Sequence, residues 1–413
     1  MNKLTKIEKY WILYDVANSA FIMMVSTIIP IFFKAIASNA GLSASQSTAY
    51  WGYALSISTL IVAFIGPTLG RLADEKDKKK KYFLLFLAMG CIGCAIMGFM
   101  QNWLVFLAIF LIARVGYQSA NVFYDAMLTD VTSDENSDLV SSYGYALGYI
   151  GSCIPFVVCI VLVLNPTMIG LNTMSAIAIA FIITAIWWFG LAMPLARNYK
   201  QIHYNPDAKK ESFTEVLAEL KNTLVKVKNN KPMFMYLLAY FFYIDGVYTI
   251  IEMATSYGSD VGISSDQLLL ALLLTQIVAF PFAIIFGKLA KKVKTRKLIQ
   301  ISIFGYILIV LFALQLDKAW EFWFLAVCVA MFQGGIQALS RSYFSRMVPK
   351  ENANEYFGFF DIFGKGASFT GTLLMGVITQ ITDSSTMGVA GLLILLIVGF
   401  ILMSKVPQNN ADI

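Results

Sequence analysis

An apolar run of membrane length admits few folds. With no water to satisfy its backbone, it must close its hydrogen bonds within itself as a helix that crosses the bilayer. This chain has twelve runs of roughly 18 to 28 residues, at about 10–37, 50–72, 82–100, 104–128, 140–164, 172–196, 233–257, 267–290, 298–316, 320–347, 355–381 and 386–404. Its 413 residues are 58% hydrophobic and 14% charged, where a soluble domain carries about 25% charge. The length alone would allow two or three soluble domains, but the hydropathy makes lipid the solvent. The expected class is therefore an all-α membrane protein. Lys3, Lys6 and Lys9 before the first run superficially resemble a signal peptide. That run is too long for a signal core and lacks a clear cleavage site, so it reads as a retained first helix.

The basic residues set the topology. Gly66 to Lys81, GPTLGRLADEKDKKKK, ends an apolar run and packs lysines into its last turn. Such a block is drawn to an anionic cytoplasmic surface. The other connections on the same side hold the segment 197–232, the block 291–297, Arg346 and Lys350, whereas the opposite side holds Lys318, with Lys34 near its rim. Both termini are expected in the cytoplasm and the protein in the cell membrane. The net charge of +6 is thus a topology signal and not a nucleic-acid one. One inner loop, Thr129 to Asp138, is acidic (Asp130, Asp134, Glu135, Asp138), and acidic residues contribute little to the rule.

The basic motif recurs. Gly70-Arg71-Leu72-Ala73 matches Gly287-Lys288-Leu289-Ala290 at half the chain length, as in transporters built from repeats. The expected organisation is two pseudo-symmetric six-helix bundles, 1–196 and 233–413, joined by a cytoplasmic linker, 197–232. In the linker, Phe213, Val216, Leu217, Leu220, Leu224 and Val227 recur at helical spacing, and Ser212 with Glu215 has capping-box spacing. This is an amphipathic helix along the membrane surface, read as a strap between the halves, with a regulatory or partner site as the other reading. Gly144, Gly148 and Ser152, and Ala367 with Gly371, form small-residue ridges for helix contact.

Charges in hydrocarbon face cavities or one another, and here they are concentrated. The first span carries Asp15, Asn18, Ser19 and Ser26; the fourth carries Arg114, Gln118, Asn121 and Asp125 on one face; the seventh carries Asp245, Thr249, Glu252 and Ser256. The tenth carries Gln333, Gln337, Ser340 and Arg341, and the eleventh Asp361 and Lys365. The third, sixth, ninth and twelfth have almost no polar residues. Every third span therefore lines something wet, the pattern of a pore or transporter with repeated halves. At 1.5 Å rise per residue, Asp245, Arg114 and Lys365 fall near mid-membrane. Asp15 and Asp361 fall in the cytoplasmic half, Asp125 and Arg341 near the cytoplasmic mouth, and Glu252 near the outer one. Individually these charges could be internal salt bridges that hold helices together. Together they suit a small zwitterion or polar solute better than a bulky apolar drug.

These residues resemble the major facilitator superfamily. Gly70, Asp74 and Lys78 to Lys81 are similar to its basic-loop signature, with Glu75 where arginine is usual and Asp77 where glycine is usual. Within it, YDVANSAF at Tyr14 to Phe21, Tyr124-Asp125-Ala126, Phe357-Gly358 and Gly364-Lys365 resemble the "unknown major facilitator" family, which includes the fungal autophagy-related vacuolar amino-acid effluxers. Asp15, Asn18 and Asp125 correspond to that family's acidic and amide positions. The resemblance implies secondary transport, with amino acids as candidate substrates.

The expected function is a secondary active transporter that moves a small polar solute, an amino acid or related compound, with efflux as a candidate direction. It would work by alternating access and proton coupling. There is no GxxxxGK[ST] motif for ATP. No histidine lies in a span, so coupling falls to Asp245, Asp15 or Asp361. Substrate or ion contacts are expected from Asp15, Asn18, Arg114, Gln118, Asn121, Asp245, Glu252, Gln333, Gln337, Asp361 and Lys365. Gating is expected from Gly70 and Asp74, which should meet the start of the eleventh span, and from an Asp125–Arg341 ion pair. The alternatives are a drug or lipid exporter of the same fold and a non-transporting receptor or scaffold. An intramembrane enzyme would need a metal or nucleophile constellation. Cys91 and Cys94 have CxxC spacing but no second ligand pair, and His203 lies in a loop. No metal or cofactor is expected. The expected partners are the solute, protons or another coupling ion, and lipids, without nucleic acid and with a monomer as the unit.

Overall fold

The computed structural model describes residues 4–206, 213–260, 262–316, 318–407 and 411. Ser212 lies outside the described residues, as do the side chains of some helix residues, among them Val216, Leu217, Ser256, Lys365 and Ala367. The helices are α1 (Lys6–Ser26), α2 (Ile28–Asn39), α3 (Ala44–Ala73), α4 (Lys79–Met97), α5 (Trp103–Ala126), α6 (Leu128–Val131), α7 (Asp134–Leu164) and α8 (Thr173–Asn198). They continue with α9 (Phe213–Asn229), α10 (Lys231–Asp260), α11 (Ser265–Leu289), α12 (Thr295–Ala313), α13 (Ala319–Met347), α14 (Ala353–Thr382) and α15 (Ser385–Lys405). Among the described residues, 11 helical stretches are long and apolar enough to cross a membrane, and a shorter apolar stretch, Thr370–Thr382, ends α14. The protein is a multi-pass membrane protein.

Local chemistry explains the ends and breaks. Thr5 opens α1 with a capping box: Glu8 N donates to Thr5 Oγ1 at 3.3 Å and Thr5 N donates to Glu8 Oε2 at 2.6 Å. The first apolar run is read as one helix but breaks at Thr27, whose φ of −133° and ψ of −81° leave the helical region. Pro30, in the first turn of α2, has no N–H to return to Ser26, so the ladder cannot run through. The acidic connection after α5 is also more ordered than a loop, because α6 and the first turn of α7 take up most of it.

The chain divides into two compact units. The first comprises residues 1–131, 147–208 and 351–358, and the second 132–146, 209–350 and 359–413. Within the first, α1 packs on α8, α3 on α5, and α4 on both α5 and α8. Within the second, α10 packs on α15, α11 on α13, and α12 on both α13 and α15. The same four pairings recur, so the internal repeat seen in Gly70 and Gly287 extends to packing. Close approach in the first unit depends on glycine. A Cβ on Gly116 would lie 2.5 Å from the Gly90 nitrogen, so α4 and α5 meet backbone to backbone.

Each unit is fastened at its basic end by a buried carboxylate. In the first, Asp130 of α6 accepts from Lys79 Nζ at 2.7 Å and from the Tyr199 hydroxyl at 2.5 Å. Its other oxygen accepts the Ile202 and His203 amides at 3.2 and 2.8 Å and lies 3.0 Å from His203 Nδ1. The Lys79 and Asp130 side chains are both 0% exposed. The lysine block is therefore not wholly a solvated face, and the loop histidine has a buried partner. Gln201 reaches the Ala73 carbonyl at 3.2 Å and accepts from Lys79 N at 3.2 Å. The first residues of the linker are thus tied down. In the second unit, Asp138 accepts from Thr295 Oγ1 at 2.6 Å and from the Ser342 hydroxyl, and pairs with Arg346 at 3.0 Å. Arg346 Nε donates to the Ala411 carbonyl at 3.2 Å.

Breaking a buried ion pair from one side strands a charge and costs about 3–5 kcal/mol, whereas removing both partners costs much less. Lys79→Met should therefore lower the thermal stability of the detergent-purified protein strongly, and Lys79→Met with Asp130→Asn should recover much of it. A double-mutant cycle on unfolding midpoints measures this. Strictly additive losses would mean that the pair is not coupled.

Candidate functional site

Of the residues expected to gate, Gly70, Asp74 and Asp125 lie in the first unit and Arg341 in the second. Asp74 closes α3, is 1% exposed, and faces the first turn of α14. One oxygen accepts from Asn354 N at 3.0 Å and from Asn354 Nδ2 at 2.6 Å; the other accepts from Glu355 N at 3.1 Å. The first amides of a helix have no intrahelical acceptor and carry the positive end of its dipole, so a carboxylate is their natural partner. Burial pushes the Asp74 carboxyl up to about 7, opposed by Lys79 and by these N–H bonds. Arg71 adds a contact at 3.3 Å to Glu355. The approach requires Gly70, where a Cβ would lie 2.5 Å from the Asn354 carbonyl oxygen. Gly66 and Gly358 also meet through backbone, since a Cβ on Gly358 would lie 2.5 Å from Gly66 C.

Deeper in this unit, α1 and α5 bring their polar faces together. Asn18 Nδ2 donates to Asn121 Oδ1 at 2.9 Å. Arg114 Nε donates to Ser58 Oγ of α3 at 3.1 Å. Asp15 and Gln118 are buried, and Gln118 Oε1 has no hydrogen-bond partner among the described residues. Gly148 of α7 packs against Ser19 and the Asp15 carbonyl, a seam that a Cβ would close. The two stretches singled out in α1 and α5 also touch: Tyr14 lies against Tyr124 at 4.5 Å between ring centroids. Trp11 stacks on Tyr124 at 4.4 Å and donates to its carbonyl at 3.0 Å. The contact of Trp11 was not legible in the sequence, because an aromatic at a helix start reads only as core. Asp125 is half-buried.

In the second unit, Asp245 of α10 is fully buried and accepts from Gly371 N of α14 at 2.7 Å. Gln333 is buried, Gln337 and Asp361 are half-buried, and Glu252 is exposed. The Lys365 side chain lies outside the described residues. Arg341 is buried; its Nε donates to Ser141 Oγ at 2.9 Å, its NH2 to the Ser141 carbonyl at 3.2 Å, and its guanidinium covers the Tyr145 ring at 4.4 Å. An aromatic group that the sequence left unassigned surrounds this end. Tyr243 and Ser340 share a hydrogen bond of 2.6 Å, while Phe360 stacks between Tyr240 at 4.2 Å and Phe344 at 4.6 Å. Cys91 and Cys94 are buried free thiols, and no group that could hold a metal occurs among the described residues.

The family described as "Vacuole effluxer Atg22 like" matches residues 5–137 and 129–412. An uncharacterized MFS-type transporter, YxiO, of Bacillus subtilis is 44% identical over 100% of this chain and 97% of its own length. Autophagy-related protein 22 of Kluyveromyces lactis is 22% identical over 80% of this chain and 74% of its own. Among solved structures, the E. coli fucose:proton symporter FucP matches with a TM-score of 0.73 at 15% identity, covering 98% of both chains. The proton:xylose symporter XylE matches with 0.72 at 13% identity, over 98% of this chain and 96% of that one. At such identity the structures establish the fold, which is the major facilitator fold, while the sequence matches establish kinship. The chain therefore belongs to the Atg22-like family of major facilitator transporters and is not an enzyme.

Proposed function

We propose that this transporter moves a small polar solute, an amino acid or close relative, by alternating access coupled to protons, and that it works as an effluxer. It would sit in the cell membrane with both termini in the cytoplasm, where the lysine-rich connections belong. The observation that carries the reading is the polar seam of α1 and α5. There Asn18 and Asn121 are hydrogen-bonded to one another, with the Asp15 carboxyl and the Arg114 guanidinium on the same two helices. Amides that complement one another hold a shape open to both donors and acceptors, and flanking charges of both signs suit a zwitterion. The name of the matching family, a vacuole effluxer, supports the direction. Gly70, Asp74, Asp125 and Arg341 are the proposed gate. Closure at α3 and α14 would use the carboxylate-to-amide bonds of Asp74 with Asn354 and Glu355, which join no two opposite charges and can break and reform.

A drug or lipid exporter is the second reading, and one feature favours it. The second unit holds a cavity of about 100 Å³ lined largely by apolar side chains, among them Met253, Tyr257, Phe322 and Met375. A thermal-shift screen separates the two. Saturating a site at a hundred times its Kd stabilises by about 2.7 kcal/mol. Amino acids should raise the unfolding midpoint, and Arg114→Ala should remove that rise while the protein stays monodisperse. A rise only with apolar cations or lipids would sink the polar-solute reading.

The gate makes a separate prediction. Asp74→Asn replaces one acceptor by an NH2 group facing an amide N–H, and Gly70→Ala forces α3 away from α14. Both should increase labelling of cysteines introduced at the basic end of α14, read with a membrane-impermeant maleimide on inside-out vesicles. Labelling equal to that of the parent in both variants would remove Asp74 from the gate.

A further inference from the structure

The two units repeat one packing scheme but fill it differently. At the end of the first unit away from its basic turns, α2, α3, α5 and α8 meet through rings. Phe32 lies 5.5 Å from Phe106 and 5.9 Å from Phe181, and Trp51 lies 5.7 Å from Phe33 and 4.4 Å from Phe110, between ring centroids. At the corresponding end of the second unit, the α10–α15 and α11–α13 pairs leave between them the cavity of about 100 Å³. Leu268 on its wall and Trp51 in the ring cluster stand the same nineteen residues before Gly287 and Gly70. A leucine thus takes the place of an indole in the repeat, and space takes the place of the rings.

The walls decide what this space can hold. Val310, Phe322, Leu325, Val389 and Leu392 are buried and apolar. The hydroxyls on the wall are turned to the protein itself: Tyr257 donates to the Ala313 carbonyl at 2.7 Å, Thr275 to the Leu272 carbonyl at 2.6 Å, and Thr249 to Asp245 at 3.5 Å. Gln333 adds one amide. A buried water needs about two to four polar partners, and an apolar cavity of about 150 Å³ is known to stay dry and take up benzene. The wall residues that are only half-buried, Ile250, Met253, Leu272 and Val329, are apolar too. The way in therefore admits hydrocarbon and not a headgroup.

Helices in lipid are held together by contact between packed atoms, since the surrounding tails are as apolar as leucine. A void between two helix pairs forfeits those contacts on every wall. The apolar chain that lies against these spans is the acyl tail of a membrane lipid, and its end restores the contacts without bringing a polar group along. We propose that the cavity is the site of one lipid tail, which packs the second unit where aromatic rings pack the first. A resident tail accounts for the cavity whatever the solute carried, and without export of apolar compounds.

Photolabelling of the full chain in liposomes tests this. The probe is a phosphatidylcholine with a diazirine near the terminal methyl of one acyl chain, and labelled residues are mapped by mass spectrometry. Label is expected on Leu270, Ile277 and Phe324, which are exposed, and also on Val310, Leu325 and Val389, which are buried. Leu268→Trp, which restores the first unit's residue, and Ala271→Leu should each lose the buried labels and keep the exposed ones. A second arm needs no variant. Diluting the probe with methyl-branched diphytanoyl lipid, whose tails are too wide for the cavity, should lower the exposed labels and spare the buried ones. Label confined to the exposed residues overturns the proposal. So do buried labels that survive both substitutions, or that fall in step with the exposed ones on dilution. A diazirine-bearing octanol that labels the buried residues where the lipid does not also overturns it, because the occupant is then a free apolar molecule and not a tail.

Discussion

Every polar group that enters hydrocarbon must find a partner in protein, and this structure is arranged around that demand. Backbone groups meet it through helices. Side chains meet it at a few points: Asp130 with Lys79, Asp138 with Arg346, Arg341 with Ser141, Asn18 with Asn121 and Asp245 with Gly371. The first two lie where spans end and the chain turns. They hold the turn in place while leaving the middle of each bundle to groups with weaker or fewer partners. Charge pairs fasten the basic ends, while among the described residues Gln118 Oε1 and Asp245 Oδ2 are buried without a hydrogen-bond partner.

The spans were legible because their signal is long and one-dimensional. An apolar run bounded by lysine, glycine or proline fixes a helix to within a few residues, and the repeat of Gly70 in Gly287 anticipated the repeated pairings of α3 with α5 and α11 with α13. The break at Thr27 was not legible, because Pro30 inside an apolar run reads equally as a kink or as a tolerated interruption. The site was legible in part. Spacing put Arg114, Gln118 and Asn121 on one face of α5, but nothing in the spacing could say that Asn18 would meet Asn121. Asp130 and Asp138 were read as part of an acidic inner loop and Lys79 as part of a lysine block, with no partner assigned to any of them. A carboxylate in an acidic loop and a lysine in a lysine block carry no mark of burial; the mark is the tertiary position of the partner. Glycine at 371 was visible only as a small residue, since its use depends on Asp245 arriving from another helix.

The basic ends of the two halves share a packing scheme but differ in charge. Asp74 follows Gly70-Arg71-Leu72-Ala73, whereas Lys291 follows Gly287-Lys288-Leu289-Ala290. A cation at that place cannot accept from the first amides of a helix, and the dipole repels it; Lys291 is accordingly exposed. In the second unit the carboxylate is supplied by α7 instead, as Asp138, and it is met by hydroxyls of Thr295 and Ser342 and by the Arg346 guanidinium. Gly287 keeps the close approach, since a Cβ there would lie 2.5 Å from Ser142 Cβ.

The two contacts therefore differ in kind. The Asp74 contact joins a buried anion to neutral amides, so its strength follows the charge state of one carboxyl that burial has pushed up to about 7. A carboxyl raised in this way takes up a proton when it is buried, between its ordinary value and about 7. Burying it is thus opposed as pH rises through that window and eased as pH falls. The Asp138 contact joins two opposite charges, the carboxylate and the Arg346 guanidinium at 3.0 Å. The same packing scheme therefore carries an amide-held carboxylate in one half and an ion pair in the other.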